Sequence, residues 1–534
     1  MIPNPGAQTW TPTDLLMQAR NKNLVLAAMV FAVAMTFIDQ TIVAIAIPHI
    51  QKELSLTGTG SQWVINGYLL ALSALFAFGG RLGDVLGRRR MVVIGVIGFA
   101  VTSALCGLTP KGSVAETWII VFRVLQGASA ALMFPASVAI VVASYPVRER
   151  GRAMAVFFGI SGGLTAIGPI AGGFLTQWTW RAIFWVNIPV AIIALVLIWL
   201  AKPDNVRRPA KIDYRGTLLI TGAMGLIVLG LQQSTTWGWG SIATWLSIIV
   251  GVGLGVAFIA WERRTPEPLL RLAIFANRGF AVDTAALGLM SIVFVPFFFF
   301  ASLYAQVALG ESSSNAGEYL LYWFIGFVIA AQIGGRMLDR GGARRPVVIG
   351  SALAAVGFYL LAGELVHLSL GKQTLNIIFA GVGLGMMLGP ASTDAVNRAP
   401  SGTYSEVTGI TQTARNFGAS LGLAILGSIL ISRTVHNVTP VLTRAGVPAR
   451  TAHSIASAIG SGSPASGSSF HASPALIHQV QLAFAHSTQT VFYIMTGVFV
   501  FTFLVVVRGM PRGRVEPADD EAPSRGAPSE VSVG

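Results

Sequence analysis

Long apolar segments separated by short polar ones run through almost the whole chain of 534 residues. A helix needs roughly 20 consecutive apolar residues to cross the hydrocarbon core of a membrane. Fourteen segments of this kind predict an all-α integral membrane protein with both termini on one side. The predicted spans cover residues 24–48, 62–80, 91–109, 117–143, 152–176, 183–201, 214–232, 243–261, 279–306, 317–336, 346–364, 374–395, 406–432 and 489–508.

A short basic motif occurs twice between apolar spans. The first copy, GRLGDVLGRRR, occupies residues 80–90, and the second, GRMLDRGGARR, begins 255 positions later at Gly335. An internal repeat of this kind is typical of transporters built from two related halves. It predicts two six-helix bundles, spans 1–6 and 9–14, with two additional spans between them.

Basic residues are distributed unevenly between the two sets of loops. Of the 36 lysine and arginine residues, 27 lie at the termini and the even-to-odd loops, 7 lie in the opposite loops, and two lie within spans. Because cytoplasmic loops are rich in lysine and arginine, both termini and both motif copies are predicted to be cytoplasmic, in a multi-pass protein of the plasma (inner) membrane. Topology therefore explains the net charge of +14, and no nucleic-acid partner is expected.

The connections between the spans complete the domain prediction. Residues 433–487 are rich in Ser, Ala and Gly and hold five of the seven histidines, at irregular spacing that favours a solvated external loop over a metal site. The apolar end of this loop, 476–485, predicts a short helix on the membrane. The predicted units are a cytoplasmic segment 1–23, a first bundle 24–201, a linker 202–213, two additional spans 214–261, a second bundle 279–508 and a disordered tail 511–534.

Two charged residues lie deep within predicted spans. Counted from Leu24, Asp39 lies about 22 Å from the cytoplasmic edge of a core about 30 Å thick. An ionisable residue there costs about 2.5–3.5 kcal/mol on insertion scales, which indicates a function such as exchanging a proton for a substrate. Arg123 in span 4 lies at a similar depth, which allows a pair or a shared cavity. A carboxylate paired only for packing is the alternative interpretation.

Other polar residues in the spans are second-rank candidates. Asp283 and Asp394 lie near cytoplasmic span ends and Glu318 near an external one, which favours solvation at the membrane interface. Arg415 in span 13 lies deeper, and Gln126 follows Arg123 by three positions.

No pattern indicates an enzyme, a cofactor or a metal site. The glycine-rich stretch 381–385 lies inside a span and lacks dinucleotide spacing. The single cysteine, Cys106, allows no intrachain disulfide. A proton gradient is the expected energy source.

The motifs together resemble those of the fourteen-helix drug:proton antiporters of the major facilitator superfamily. The repeated turn resembles the loop signature that follows the second helix of each half in this superfamily. Leu164, Val85 and Glu318 depart from the usual pattern. The stretches that carry the remaining resemblance are 39–48 in span 1, 123–127 in span 4, 168–173 in span 5, 180–189 at span 6 and 304–306 in span 9.

The resemblance implies a role for each motif. Asp39 would carry the proton or bind a cation, and Arg123 would adjust the affinity of Asp39 for that proton or cation. Closely spaced small residues and a proline would let span 5 pack tightly and pivot. These residues are Gly168, Pro169, Gly172 and Gly173.

A conformational latch in the repeated turn is also implied. Asp84 would meet the N-terminus of span 13, and Asp339 would meet that of span 5 near Arg152, because a helix N-terminus favours a carboxylate. Both contacts would close the cytoplasmic face. The other latch residues are Gly80, Gly87, Arg88 and Arg340.

The implied function is proton-driven export of amphipathic small molecules or drugs by alternating access. Membrane lipids, protons and the substrate are the expected partners, and a deep carboxylate suits a cationic substrate. Lipids, siderophores, anionic antibiotics and other endogenous metabolites stay open as substrates. Uptake by symport is a further alternative, which the resemblance of span 5 to antiporters disfavours. A non-transporting membrane receptor or complex subunit on the same scaffold is the alternative class.

Overall fold

The computed structural model describes most of the chain, with gaps concentrated around span 5, the long loop and the termini. The described residues are 12–145, 149, 153–154, 156–157, 160, 164–165, 167–203, 205, 212–398, 404–461 and 473–513. The predicted disordered tail, 511–534, lies outside this description from residue 514 onward.

The described residues form a bundle of long helices. They are α1 (Pro12–Leu54), α2 (Gly58–Leu86), α3 (Arg88–Gly107), α4 (Ala115–Ser144), α5 (Ile167–Trp178), α6 (Ala182–Trp185), α7 (Asn187–Ala201), α8 (Tyr214–Trp237), α9 (Ile242–Glu262), α10 (Arg278–Val307), α11 (Ser313–Gly341), α12 (Arg344–Glu364), α13 (Leu370–Asn397), α14 (Tyr404–Arg444), α15 (Ala449–Gly460) and α16 (Pro474–Gly509).

Thirteen helical segments of the described chain are long and apolar enough to cross a membrane. They correspond to every predicted span except span 5, of which α5 is the continuously described part. Spans 6 and 14 correspond to α6–α7 and α16. The prediction of an all-α membrane protein with two six-helix bundles and two additional helices is confirmed.

Polar side chains at the loop ends start several of these helices. Thr57 Oγ1 accepts a hydrogen bond from Gly60 N at 2.9 Å at the start of α2, and Asn277 Oδ1 accepts one from Gly279 N at 3.0 Å at the start of α10. Such caps satisfy backbone donors that have no partner within the helix. The chain can therefore turn sharply between apolar segments.

Within each half, a glycine brings two helices into backbone contact, and the two helix pairs occupy equivalent positions in the repeat. A Cβ on Gly79 of α2 would lie 2.0 Å from Ala131 O of α4. In the second half, a Cβ on Gly326 of α11 would lie 2.0 Å from Ile378 O of α13. Neither position can hold a side chain without separating the helices, so the same close packing recurs in both halves.

The additional helices α8 and α9 pack against each other and against the junction of the two halves. Ser73 Oγ of α2 lies 3.7 Å from Met224 Sδ of α8. Ile220 and Met224 share an apolar cluster with Phe258 of α9 and Ile410 of α14. Helix α8 therefore contacts both α2 of the first half and α14 of the second.

The prediction that residues 433–487 form a loop is wrong for the described parts, which are largely helical. Helix α14 continues to Arg444, α15 follows, and α16 begins at Pro474, so the predicted short helix at 476–485 is the first part of a much longer one. The physical reason is the regular spacing of small residues, which composition alone does not reveal. Ala452, Ala456 and Gly460 recur every four residues and are buried on one face of α15. The predicted N-terminal segment 1–23 likewise overlaps α1, which begins at Pro12.

The bundle has two ends, which we name by residues near them. The His49 end holds the last turns of α1 and the start of α11. The Asp84 end holds the last turns of α2, the start of α10 and the end of α13.

Candidate functional site

Asp39 lies on α1 where this helix is closely covered by α5. A Cβ on Gly168 would lie 1.9 Å from Thr41 Oγ1, and one on Gly172 would lie 3.0 Å from Ile42 O. Thr41 Oγ1 also donates a hydrogen bond to Thr165 O at 2.9 Å. The two glycines thus allow α5 to lie directly on the turn that carries Asp39, which is fully buried. The side chain of Pro169 lies outside the described structure.

Arg123 of α4 forms an ion pair with Asp39. Its Nη1 lies 2.6 Å from Asp39 Oδ2, and both side chains are buried. The guanidinium also donates from Nε to Val64 O at 2.7 Å and lies 4.5 Å from the centre of the Tyr68 ring. Arg123 therefore has a backbone acceptor and an aromatic face on α2 in addition to the carboxylate.

Gln126 completes this cluster. Its Oε1 accepts from Arg123 Nη1 at 2.7 Å, and its Nε2 donates to Asp39 Oδ1 at 3.2 Å. Both oxygens of Asp39 are thus engaged, one by the arginine and one by the amide. A carboxylate in this position can exchange its arginine for a proton, and that exchange would loosen the contact between α1 and α4.

The sequence placed Asp39 and Arg123 at a common depth, and the structure brings them into contact. Gln126, a second-rank candidate, belongs to the same cluster as the third member. The sequence did not predict Val64 and Tyr68 as partners of Arg123, because they contribute a backbone oxygen and an ordinary aromatic ring. Phe184 lies in the span 6 stretch that carries the resemblance, but nothing in the sequence indicated that the centre of its ring lies 5.8 Å from the Arg123 guanidinium carbon.

The prediction that Asp283 and Asp394 are solvated at the membrane interface is wrong. Both are buried, and Arg398 lies between them, with its Nε 2.7 Å from Asp394 Oδ2 and 3.5 Å from Asp283 Oδ2. Asp283 accepts no hydrogen bond from the described residues. The guanidinium can lie here because Gly279 leaves room, since a Cβ on it would lie 2.3 Å from Arg398 Nη1. Two carboxylates therefore share one cation inside the protein.

The remaining second-rank candidates differ in their surroundings. Glu318 is exposed and accepts a hydrogen bond from Tyr322 at 3.1 Å, as expected at an interface. Arg415 donates from Nη1 to Gln412 Oε1 at 2.7 Å.

An ion pair spans the first copy of the repeated turn, between the end of α2 and the start of α3. Arg88 Nη2 lies 2.8 Å from Asp84 Oδ1, and a Cβ on Gly80 would lie 3.5 Å from Pro135 Cβ of α4. Asp339 and Arg340 are exposed in the second copy. Arg152 lies outside the described residues, so the predicted contact of Asp339 near it is not described. Residues 399–403, just before α14, lie outside the described residues as well. The latch therefore stays a prediction.

Close contacts join the two halves at the His49 end. A Cβ on Gly173 of α5 would lie 3.0 Å from Ser313 O of α11. Ser313 Oγ lies 3.0 Å from His49 Nδ1, and Gln306 Nε2 of α10 donates to Ile45 O of α1 at 3.3 Å. Gly173 thus allows close contact between the two halves, whereas Gly168 and Gly172 allow close contact between α5 and α1 within the first half.

Comparisons with known proteins give a consistent result. Residues 29–423 match the family model described as the Major Facilitator Superfamily. The chain is 36% identical to the tetracenomycin C resistance and export protein of Streptomyces glaucescens, over 76% of each chain. It is 32% identical to a puromycin resistance protein of Streptomyces alboniger, over 82% of this chain and 88% of the relative.

A solved structure shares the fold of the chain. It is a bacterial homologue of the human lysosomal transporter Spinster, with a TM-score of 0.60 and 17% identity. The alignment covers 92% of this chain and 98% of that one.

Proposed function

The chain belongs to the major facilitator superfamily, and we propose that it is a proton-driven antiporter that exports amphipathic small molecules from the cytoplasm. The observation that carries this proposal is the buried cluster of Asp39, Arg123 and Gln126 beneath α5. An ionisable group within a membrane span is retained at a cost, and it commonly marks a proton or substrate pathway.

The proton step follows from the geometry of the cluster. When Asp39 binds a proton, its attraction to Arg123 weakens, while Arg123 keeps Val64 O and the Tyr68 ring as partners. Protonation therefore changes the contact between α1 and α4 without leaving the arginine unsatisfied. Substrate binding and proton binding would compete through this contact.

Alternating access would use the contacts between the halves. The structure is closed at the His49 end, where α1 and α5 meet α10 and α11. The distribution of lysine and arginine assigns this end to the outside and the Asp84 end to the cytoplasm. Rocking of the halves would open the His49 end and release the substrate outward.

The named relatives support export as the direction of transport. One is called a resistance and export protein, and another a puromycin resistance protein. Removal of a toxic compound from the cell is the simplest common activity. The proton gradient supplies the energy, so no cofactor is required.

Proton flux in proteoliposomes tests the proposal. Purified protein is reconstituted with a pH-sensitive dye inside, and puromycin and ethidium are added separately. We expect wild-type protein to move protons in response to a transported compound. Asp39→Asn removes the titratable group and should abolish this flux, while some exchange of the compound down its own gradient continues. Proton-coupled transport at the wild-type rate in Asp39→Asn would remove Asp39 from the mechanism.

A further inference from the structure

Arg415 is a cation deep in the membrane that no acidic side chain of the described structure neutralises. It lies nine positions after the predicted start of span 13, about 14 Å into the membrane core. Its described side-chain hydrogen bond joins Nη1 to Gln412 Oε1, and its Nε has no hydrogen-bond partner. Arginine stays protonated in proteins, so this positive charge persists.

The gap in span 5 and the gap just before α14 contain no acidic residue that could pair with Arg415. The undescribed residues between 146 and 166 and those at 399–403 contain neither Asp nor Glu. Glu406 lies on the same helix but nine residues before Arg415, about 14 Å away along the axis. Asp39 is already engaged through both oxygens by Arg123 and Gln126.

The contacts of α14 show which way Arg415 faces. A Cβ on Gly418 would lie 2.3 Å from Gly288 O, so this side meets α10. Ser73 of α2 donates to Thr413 O at 3.0 Å, so a second side meets α2. Ile410 and Phe417 pack with residues of α8 and α9 on a third side.

Arg415 lies on the remaining face of α14. At 100° per residue it falls between the α10 side and the α2 side, opposite the α8–α9 side. This face points to the interior between the two halves, where transporters of this architecture have their cavity.

We infer that Arg415 binds an anionic group of the transported molecule, such as a carboxylate or a phenolate. This inference rests on the proposed function and names its substrate class. With Nη1 held by Gln412, the edge formed by Nε and Nη2 has no described hydrogen bond and can donate in parallel to two oxygens. Asp39 alone would favour cations, but its charge is neutralised, and the uncompensated charge at this depth is positive.

Binding of a matched set of probes tests the inference. The probes are 9-anthracenecarboxylate, its neutral amide and 9-anthracenemethylammonium, which share one ring system and differ in charge. Fluorescence titrations use purified full-length protein at neutral pH. We expect wild-type protein to bind the carboxylate about 10- to 100-fold more tightly than the amide, as for a charge-assisted bidentate contact. Arg415→Gln should remove this preference.

The control is Arg433→Gln, the same change at an exposed position further along α14. It should keep the wild-type preference. If Arg415→Gln does not purify as a folded protein, Arg415→Lys replaces it. That variant keeps the charge but loses the planar fork, so the preference should fall without vanishing.

Equal or tighter binding of the amide or the ammonium by wild-type protein overturns the inference, as does an unchanged preference in the Arg415 variants. Absence of carboxylate binding by wild-type protein also overturns it. The proton-flux assay separates this failure from that of the proposed function. Proton-coupled transport of ethidium without any carboxylate preference would leave antiport standing and remove the role of Arg415.

Discussion

Gly87 and Gly342, which lie 255 positions apart in the two copies of the repeated turn, both have positive φ values, of 104° and 81°. Each follows the last residue of a long helix, and its backbone N–H donates to a carbonyl of that helix. A residue with a side chain adopts such φ values only at a cost. The repeated glycine is therefore explained by a backbone turn that both halves need.

The first prediction concerns the latch at this turn. If the predicted latch exists, Asp84→Asn should shift the population toward the state that is open at the Asp84 end, because the variant lacks the carboxylate that would interact with the positive N-terminus of α14. Transport should slow while substrate binding persists. The measurement is a spectroscopic distance between labels at the Asp84 end of α2 and in the first turn of α14. Identical distance distributions in wild-type protein and Asp84→Asn would show that the latch does not exist.

The second prediction concerns the buried ion pair. Arg123→Gln leaves the Asp39 carboxylate buried with only Gln126 as its partner, and removal of one member of a buried pair costs about 3–5 kcal/mol. We expect lower thermal stability in detergent for this variant. Asp39→Asn should be milder, because Arg123 keeps Val64 O and the Tyr68 ring.

The double variant supplies the control. Asp39→Asn combined with Arg123→Gln removes both charges and should recover much of the lost stability without recovering proton-coupled transport. An Arg123→Gln protein as stable as wild type would contradict the prediction.

The third prediction concerns the three charges at the Asp84 end. Arg398→Gln would leave Asp283 and Asp394 buried together without a cation, so unfolding should occur at a markedly lower temperature. Asp283→Asn should be tolerated, because it removes a carboxylate that accepts no described hydrogen bond and is repelled by its neighbour. A greater loss of stability in Asp283→Asn than in Arg398→Gln would show that the arginine does not hold this cluster together.

The fourth prediction concerns topology. Ala445 in the turn after α14 and Arg512 after α16 are both exposed, and the single natural cysteine, Cys106, is buried. A membrane-impermeant thiol reagent added to intact cells should therefore label Ala445→Cys and leave Arg512→Cys unlabelled until the membrane is permeabilised. Labelling of both from the same side would contradict the assignment of the His49 end to the outside.

The sequence predicted the features that depend on position along the chain. Span length, the repeat and the common depth of Asp39 and Arg123 follow from counting residues, since the rise of a helix is fixed. The pairing of these two side chains needed the rotation of each helix about its axis. That rotation is set by packing between helices, such as the close approach of Gly168 to Thr41.

The dependence on packing between side chains also explains why the predictions for Asp283 and Asp394 and for residues 433–487 were wrong. Asp283 and Asp394 looked interfacial because Arg398, which neutralises them, lies beyond the predicted end of span 12 at residue 395. The Ser, Ala and Gly content of α15 is typical of a loop, whereas the four-residue spacing of its small residues allows one face of a helix to pack. In both cases a tertiary contact decided the outcome: an ion pair in one and helix packing in the other.

The position of α8 has a consequence for whether the chain could consist of its two six-helix bundles alone. Asn66 and Ser73 of α2 are fully or almost fully buried, and their side chains make polar contacts with Gln232 and Met224 of α8. A shortened chain that joined α7 directly to α10 would remove Gln232, the described partner of the Asn66 amide nitrogen, whereas Ser73 would keep its hydrogen bond to Thr413 O of α14. An amide nitrogen without a partner is costly within a membrane. The additional pair of helices thus supplies the partner of a buried amide on α2, and its deletion would also require a different residue at position 66.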